Sequence, residues 1–181
     1  MIKAVVFDFD NTLTDFVELD IRGLQHVYAL TGDNGRADEF VAIAVEEIMS
    51  CHENIERKRL DPKTLHETRL KNTCAKLHLP WCDVYRSEYQ RYIIANTVVY
   101  PDVIDYIQGL SRKYVLGIIS NAYDGQEQRS RIANCGVGVL MKAIVIAGES
   151  GDYKPDPAIF KLMAHRLGVE SDECVYVGDS E

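Results

Sequence analysis

Residues 1–16 read MIKAVVFDFDNTLTDF. The run IKAVVF at 2–7 is mostly apolar and rich in β-branched residues, which predicts a strand buried on both faces of a parallel sheet. It leads straight into Asp8 and Asp10, two carboxylates one residue apart. At ~4 Å and an effective dielectric near 20, their repulsion costs about 4 kcal/mol. That cost is tolerable with a cation between them, with a proton on one of them, or with both in water. What the rest of the chain places beside them therefore decides how this stretch is read.

From residue 15 to about 97 no comparable strand occurs, and helices are expected at roughly 16–31, 37–58, 63–78 and 82–97. Thr31-Gly32-Asp33-Asn34-Gly35 is a loop, and Asp61-Pro62 and Leu79-Pro80 separate the later helices. Phe40, Ile43, Ala44, Ile48 and Cys51 form a stripe at helical spacing.

Beyond Tyr100 the pattern alternates. A helix with Val103, Ile104, Ile107 and Leu110 inward precedes the strand VLGIIS (115–120). Asp124 and Glu127 suit a capping pair for a helix ending near Gly136, and AIVIA (143–147) is the next strand. Asp156-Pro157 is a cap followed by a proline at the first helical position, and CVYV (174–177) closes the series. Alternating strands and helices predict a three-layer, Rossmann-like parallel α/β sheet. Residues 1–14 and 99–181 are expected to form this core. Residues 15–98 are expected to be an all-helical insert after the first strand, over the carboxyl ends of the strands where such sheets bind ligands.

The chain has 181 residues, 46% hydrophobic and 27% charged, with a net charge of −8. That charge argues against nucleic acid or an anionic membrane as partner. No apolar run approaches the ~20 residues of a membrane span, and no signal peptide is evident. The five cysteines are scattered and never form C-x-x-C, as in a reduced cytoplasmic protein without a zinc site. The histidines at 26, 52, 66, 78 and 165 show no ligand spacing and read as surface or packing residues. Arg57-Lys58-Arg59 reads as a solvated helix end, and Tyr85, Tyr89 and Tyr92 as a packed face.

Each strand is followed by polar groups: Asp8 and Asp10, then Ser120-Asn121, then Lys154, then Asp179. In a parallel sheet these positions share one edge and can converge. Paired carboxylates, a hydroxyl, an ammonium and a further carboxylate suit phosphoryl transfer with Mg²⁺ on the oxygens.

DFDNTLT (8–14), IISN (118–121), the lysine of GDYKPDP (151–157) and VYVGDS (175–180) resemble, in order and spacing, the four motifs of the haloacid dehalogenase superfamily. The helical insert is similar to that of its helical-cap branch. The resemblance implies a phosphatase in which Asp8 is the nucleophile and forms an aspartyl-phosphate. Asp10 protonates the leaving oxygen and then activates water. Ser120 and the backbone N–H of Asn121 bind phosphate, and Lys154 pairs with nucleophile and phosphate. Asp8, the backbone carbonyl of Asp10 and Asp179 hold Mg²⁺. Dehalogenases proper lack the second aspartate, because a halide leaves without a proton, so Asp10 favours a phosphate ester, here a small soluble one. A phosphomutase on the same scaffold is the alternative, differing in how well water is excluded. A non-catalytic member is a further one.

The sequence departs from the family pattern twice. Asn11 stands where glycine is commoner, and asparagine tolerates the left-handed backbone expected there. The pattern usually continues past Asp179 with another acidic residue, a helix and a strand. The C-terminal part of the usual core is thus expected to be absent, as in a piece of a longer chain.

Overall fold

The computed structural model describes residues 1–179; Ser180 and Glu181 lie outside the described residues. The chain divides into two compact units, one of Met1–Val17 with the segment from Thr97 onward, the other Glu18–Asn96. The breaks expected at 14/15 and 98/99 fall two to three residues away from these. At the first break the reason lies in Asn11. It is left-handed (φ 59°), and its Oδ1 accepts from the backbone N–H groups of Phe16 (3.1 Å) and Val17 (3.2 Å). The first turn of the following helix is thereby tied to the strand-end loop. The residue that departs from the family's glycine supplies both the backbone conformation and a cap.

Among the described residues the first unit holds four parallel strands, β1 (Ala4–Phe7), β2 (Val115–Ser120), β3 (Ala143–Ile146) and β4 (Cys174–Val177), in the order β3-β2-β1-β4. Side chains of β1 alternate between two cores, as the twofold period of a strand requires. Val5 and Phe7 join Leu116, Ile118, Ile107 and Ile132 on one face, while Ala4 and Val6 join Ile119, Val145, Ile159, Met163 and Leu167 on the other. The first face is covered by helices α5 (Val103–Ser111) and α6 (Gly125–Asn134), the second by α8 (Pro157–Leu167). This is a three-layer α/β core. Asp124 accepts from Glu127 N at 3.0 Å and Asp156 from Ala158 N at 2.8 Å, so both expected caps form. Asp102, which precedes α5, adopts a left-handed backbone and makes no side-chain cap. A one-turn helix, α7 (Ala147–Ser150), follows β3 where no helix was expected. No helix among the described residues is long and apolar enough to cross a membrane.

The chain leaves β1 toward β2 on one side and returns as β4 on the other. Strand order therefore reverses at β1, and the crevice at its carboxyl end is where open α/β sheets bind ligands.

The second unit is helical: most of α1 (Phe16–Leu30), then α2 (Ala37–Glu56), α3 (Leu65–Lys76) and α4 (Val84–Asn96). Phe40, Ala44 and Cys51 are buried along α2, as their spacing predicts. Tyr85 and Tyr89 are buried in α4, while Tyr92 is half-buried and stacks on His26. Arg57, Lys58 and Arg59 are exposed.

A polar cluster not expected from the sequence ties the four helices together. Arg69 is fully buried, donates from Nε to the carbonyl of Ala44 (2.8 Å), and grips Asp20 with two bonds of 2.8 Å. The Tyr89 hydroxyl also donates to Asp20. His66 tilts against Tyr89, and its Nδ1 is buried with no partner among the described residues. Burial pushes its imidazole down to about 3, with the Arg69 charge adding to the fall and Asp20 opposing it. The unfolded histidine, near 6.5, binds its proton across this interval while the folded one does not. Stability from His66 is therefore complete above about pH 6.5 and lost on acidification, at about 1 kcal/mol per pH unit. Denaturant midpoints from pH 7 to 5 should fall more steeply for the wild type than for His66→Phe. Parallel slopes would show that His66 titrates as it does in water.

Candidate active site

Asp8 follows β1 directly, and its backbone N–H continues the ladder to the carbonyl of Val177 at 2.8 Å. Its Oδ1 accepts from Lys154 Nζ (2.7 Å) and from the backbone N–H of Phe9 (2.7 Å). Burial raises the Asp8 carboxyl above its ordinary value, with Lys154 and the Phe9 N–H pulling against it and Asp10 adding to the rise. Burial alone would lower Lys154, but its bonds to Asp8 and Tyr176 outweigh it and the ammonium is held above its usual range. The carboxylate is thus poorly solvated yet faced by a fixed cation.

Lys154 is placed from two directions. Asn121 and Lys154 exchange side-chain–backbone bonds, Lys154 N to Asn121 Oδ1 at 2.8 Å and Asn121 Nδ2 to Lys154 O at 3.0 Å. This clamps the loop after β3 to the end of β2. The Asn121 side chain thus has a task beside the one expected of its backbone N–H. The ammonium also donates to the Tyr176 hydroxyl at 2.9 Å. Tyr176 comes from β4 and was not singled out in the sequence. Its place inside the VYVGDS stretch, two residues before Gly178, was the available signal.

Ser120 ends β2 and is buried. Its Oγ accepts from Gln128 Nε2 (2.9 Å) and from Ala122 N (3.4 Å), which leaves its own O–H to donate. The following loop packs tightly on α7. Gly148 N donates to Ala122 O at 2.9 Å, and a Cβ on Gly148 would fall within 2.6 Å of the Tyr123 carbonyl carbon, so only glycine fits.

Asp10 turns toward α6. Arg131 Nη2 reaches Asp10 Oδ1 at 2.6 Å and Nη1 reaches Oδ2 at 3.3 Å, while Gln128 Nε2 donates to Oδ2 at 2.8 Å. Both carboxylate oxygens are therefore occupied by protein donors. Arg131 and Gln128 were absent from the residues expected at the site. Asp179, exposed, sits just past β4 on the strand neighbouring β1, and so on the same sheet edge as Asp8.

The structure thus joins Asp8 to Lys154, Asp10 to Ser120 through Gln128, and Asn121 to the backbone of Lys154. Among the described residues no group of three or more acidic, histidine or cysteine side chains is placed to hold a metal. The candidate oxygens are those of the Asp8 carboxylate, whose bonds to Lys154 and the Phe9 N–H both fall on Oδ1, of the Asp10 backbone carbonyl, and of Asp179. Two carboxylates with a carbonyl are a hard-oxygen donor set of the kind Mg²⁺ accepts alongside water and a substrate phosphate.

Comparison with known proteins places the chain. A family model described as haloacid dehalogenase-like hydrolase matches residues 2–181. The N-acylneuraminate-9-phosphatase of Mus musculus is 30% identical over 99% of this chain and 75% of the mouse protein. A glyceraldehyde 3-phosphate phosphatase of Methanopyrus kandleri is 37% identical over 44% of this chain and 34% of its own length. The magnesium-bound HAD-hydrolase YfnB of Bacillus subtilis superposes with a TM-score of 0.83 at 18% identity, covering 99% of this chain and 78% of that one. The L-2-haloacid dehalogenase of Xanthobacter autotrophicus superposes at 0.73 with 23% identity, covering 97% and 69%. The structural likenesses establish the shared fold, and the family model spans nearly every residue including all four strand-end motifs: the chain belongs to the haloacid dehalogenase-like hydrolases.

Proposed function

We propose that the protein is a phosphatase that hydrolyses a small soluble phosphomonoester in the cytoplasm, in two steps through Asp8. The observation that carries this reading is the pair of carboxylates in different company. Asp8 faces Lys154 at 2.7 Å, while Asp10, two residues on, is held by α6. In the first step a carboxylate oxygen of Asp8 attacks phosphorus as the bond to the leaving oxygen breaks, and Asp10 delivers a proton to that oxygen. In the second, Asp10 takes a proton from water as the water oxygen attacks phosphorus and Asp8 is released. Lys154 and the Ser120 hydroxyl hold the phosphoryl oxygens in both steps.

The charges favour a divalent cation. With Asp10 carrying the proton it delivers, the charges of Asp8 and Asp179 are matched by those of Lys154 and Arg131, and a phosphomonoester adds roughly 1.5–2 negative charges to that balance. Asp8, the Asp10 carbonyl and Asp179 would hold Mg²⁺, which supplies charge neutralisation at the phosphoryl group. The phosphatase names of the mouse and archaeal relatives support the ester chemistry. The mouse relative makes an acylneuraminate 9-phosphate the first sugar ester to try.

Phosphate release from p-nitrophenyl phosphate and from N-acetylneuraminate 9-phosphate, with Mg²⁺ or with EDTA, tests this. Release that needs Mg²⁺ is expected with at least the aryl ester. A folded chain that releases none, or whose rate EDTA leaves unchanged, would overturn the proposal.

A further inference from the structure

Two nearly inaccessible polar side chains of α6 meet the carboxylate that the proposed reaction uses as acid and base. Gln128 and Arg131 lie one turn apart on the same face of the helix and are 1% and 2% exposed. Gln128 Nε2 donates both to Asp10 Oδ2 (2.8 Å) and to Ser120 Oγ (2.9 Å). Its Oε1 accepts from Arg131 Nη1 at 2.7 Å, and because a guanidinium can only donate, this bond settles which end of the amide faces Asp10. Arg131 spans both oxygens of Asp10 and donates from Nε to the Thr97 hydroxyl at 3.1 Å. Its plane lies over the rings of Phe16 (4.5 Å) and Phe9 (5.4 Å). Both N–H groups of the Gln128 amide and four of the five of Arg131 are thus committed.

Fold stability alone does not call for such a pair. A buried arginine loses hydration, and apolar residues of similar volume fill such a site as well or better. What only this pair provides is a fixed carboxylate plane for Asp10 and a fixed spacing between Asp10 and Ser120. We infer that Arg131 and Gln128 are positioning residues for Asp10, aligning it with the leaving-group oxygen while Ser120 holds the phosphoryl group. The inference rests on the phosphatase reading. It assigns no contact with substrate to either residue.

A misaligned acid slows only those reactions whose leaving oxygen needs a proton. An alkyl phosphate, whose alkoxide is strongly basic, needs one; 2,4-dinitrophenyl phosphate does not. The ratio kcat/KM reports phosphoryl transfer to Asp8 and is untouched by the second step. For Arg131→Met, kcat/KM for an alkyl phosphate such as glycerol phosphate is expected to fall ~10²–10³-fold, the usual worth of a general acid. For the dinitrophenyl ester the fall should stay below ~10-fold. Gln128→Met keeps the ion pair and should show the same selectivity at about a tenth of the size. Because it buries no unpaired charge, it covers the case in which Arg131→Met does not fold.

Equal losses on both esters would make the pair merely structural, and unchanged ratios in a folded Gln128→Met would also overturn the inference. If the wild type turns over both esters and Asp8→Asn neither, the phosphatase reading stands whichever way that ratio falls. A wild type inactive on both removes reading and inference together.

Discussion

Asp8→Asn is expected to abolish phosphomonoester turnover, by about 10⁴-fold or more, while leaving the fold in place. The amide has the size and shape of the carboxylate, and its Oδ1 can still accept from Lys154 and the Phe9 N–H. What it lacks is the charged oxygen that attacks phosphorus. The stability change should be small because two effects oppose. A neutral amide removes the burial cost that raises the Asp8 carboxyl. Against this, Lys154 loses its counter-charge, though it keeps the Tyr176 hydroxyl. Turnover measured beside a thermal melt separates these effects. A variant with wild-type activity would remove Asp8 from the chemistry, whereas a variant that has lost both activity and melt would show a structural role instead.

The largest stability effect is expected in the helical unit. Arg69→Leu should cost about 3–5 kcal/mol, because it leaves Asp20 buried without its partner. Arg69 is fully buried, and its Nε bond holds the Ala44 carbonyl of α2 while its two Nη bonds hold Asp20 of α1. Burial works to raise the Asp20 carboxyl, but Arg69 and Tyr89 outweigh it and hold it below the ordinary carboxylate range. That contribution is present above an unfolded value near 3.9 and is lost as pH falls through the lower folded value. In the variant burial loses its main opponent, and the Asp20 carboxyl should shift upward. A loss of about 10 °C in the melting midpoint follows for a chain of this size. The double variant Asp20→Leu/Arg69→Leu should recover much of it, since the buried charge is then gone. A single variant as stable as the wild type would mean that the pair is solvated after all.

The sheet and its site edge were legible in the sequence for a physical reason. Buried parallel strands must be apolar and β-branched, and IKAVVF, VLGIIS, AIVIA and CVYV stand out from the polar helices between them. Because parallel strands end on one edge, residues far apart in sequence, such as Asp8 and Lys154, could be placed together before any distance was known. Gln128 and Arg131 were harder. In GQEQRSRIAN a glutamine and an arginine look like a solvated helix face. Their spacing carried the missing signal: Gln128, Arg131, Ile132 and Cys135 fall at i, i+3, i+4 and i+7, the pattern of a buried stripe. Polar residues on such a stripe mean a buried polar partner, here Asp10. The Asp20–Arg69–Tyr89 cluster escaped for a different cause: pairing across three helices leaves no local spacing to read. Tyr89 was read as packed, and it is, but its hydroxyl has a second task.

The claim on which the account turns is that Asp8 carries the phosphoryl group between the two steps. Mixing the full chain with Mg²⁺ and a fast aryl phosphate, quenching in acid within the first turnover and weighing the intact protein tests it directly. The account predicts a transient gain of one phosphoryl group, mapped by peptide analysis to Asp8 and absent from Asp8→Asn. Turnover with no such species at any quench time, or with the group on another residue, would contradict it.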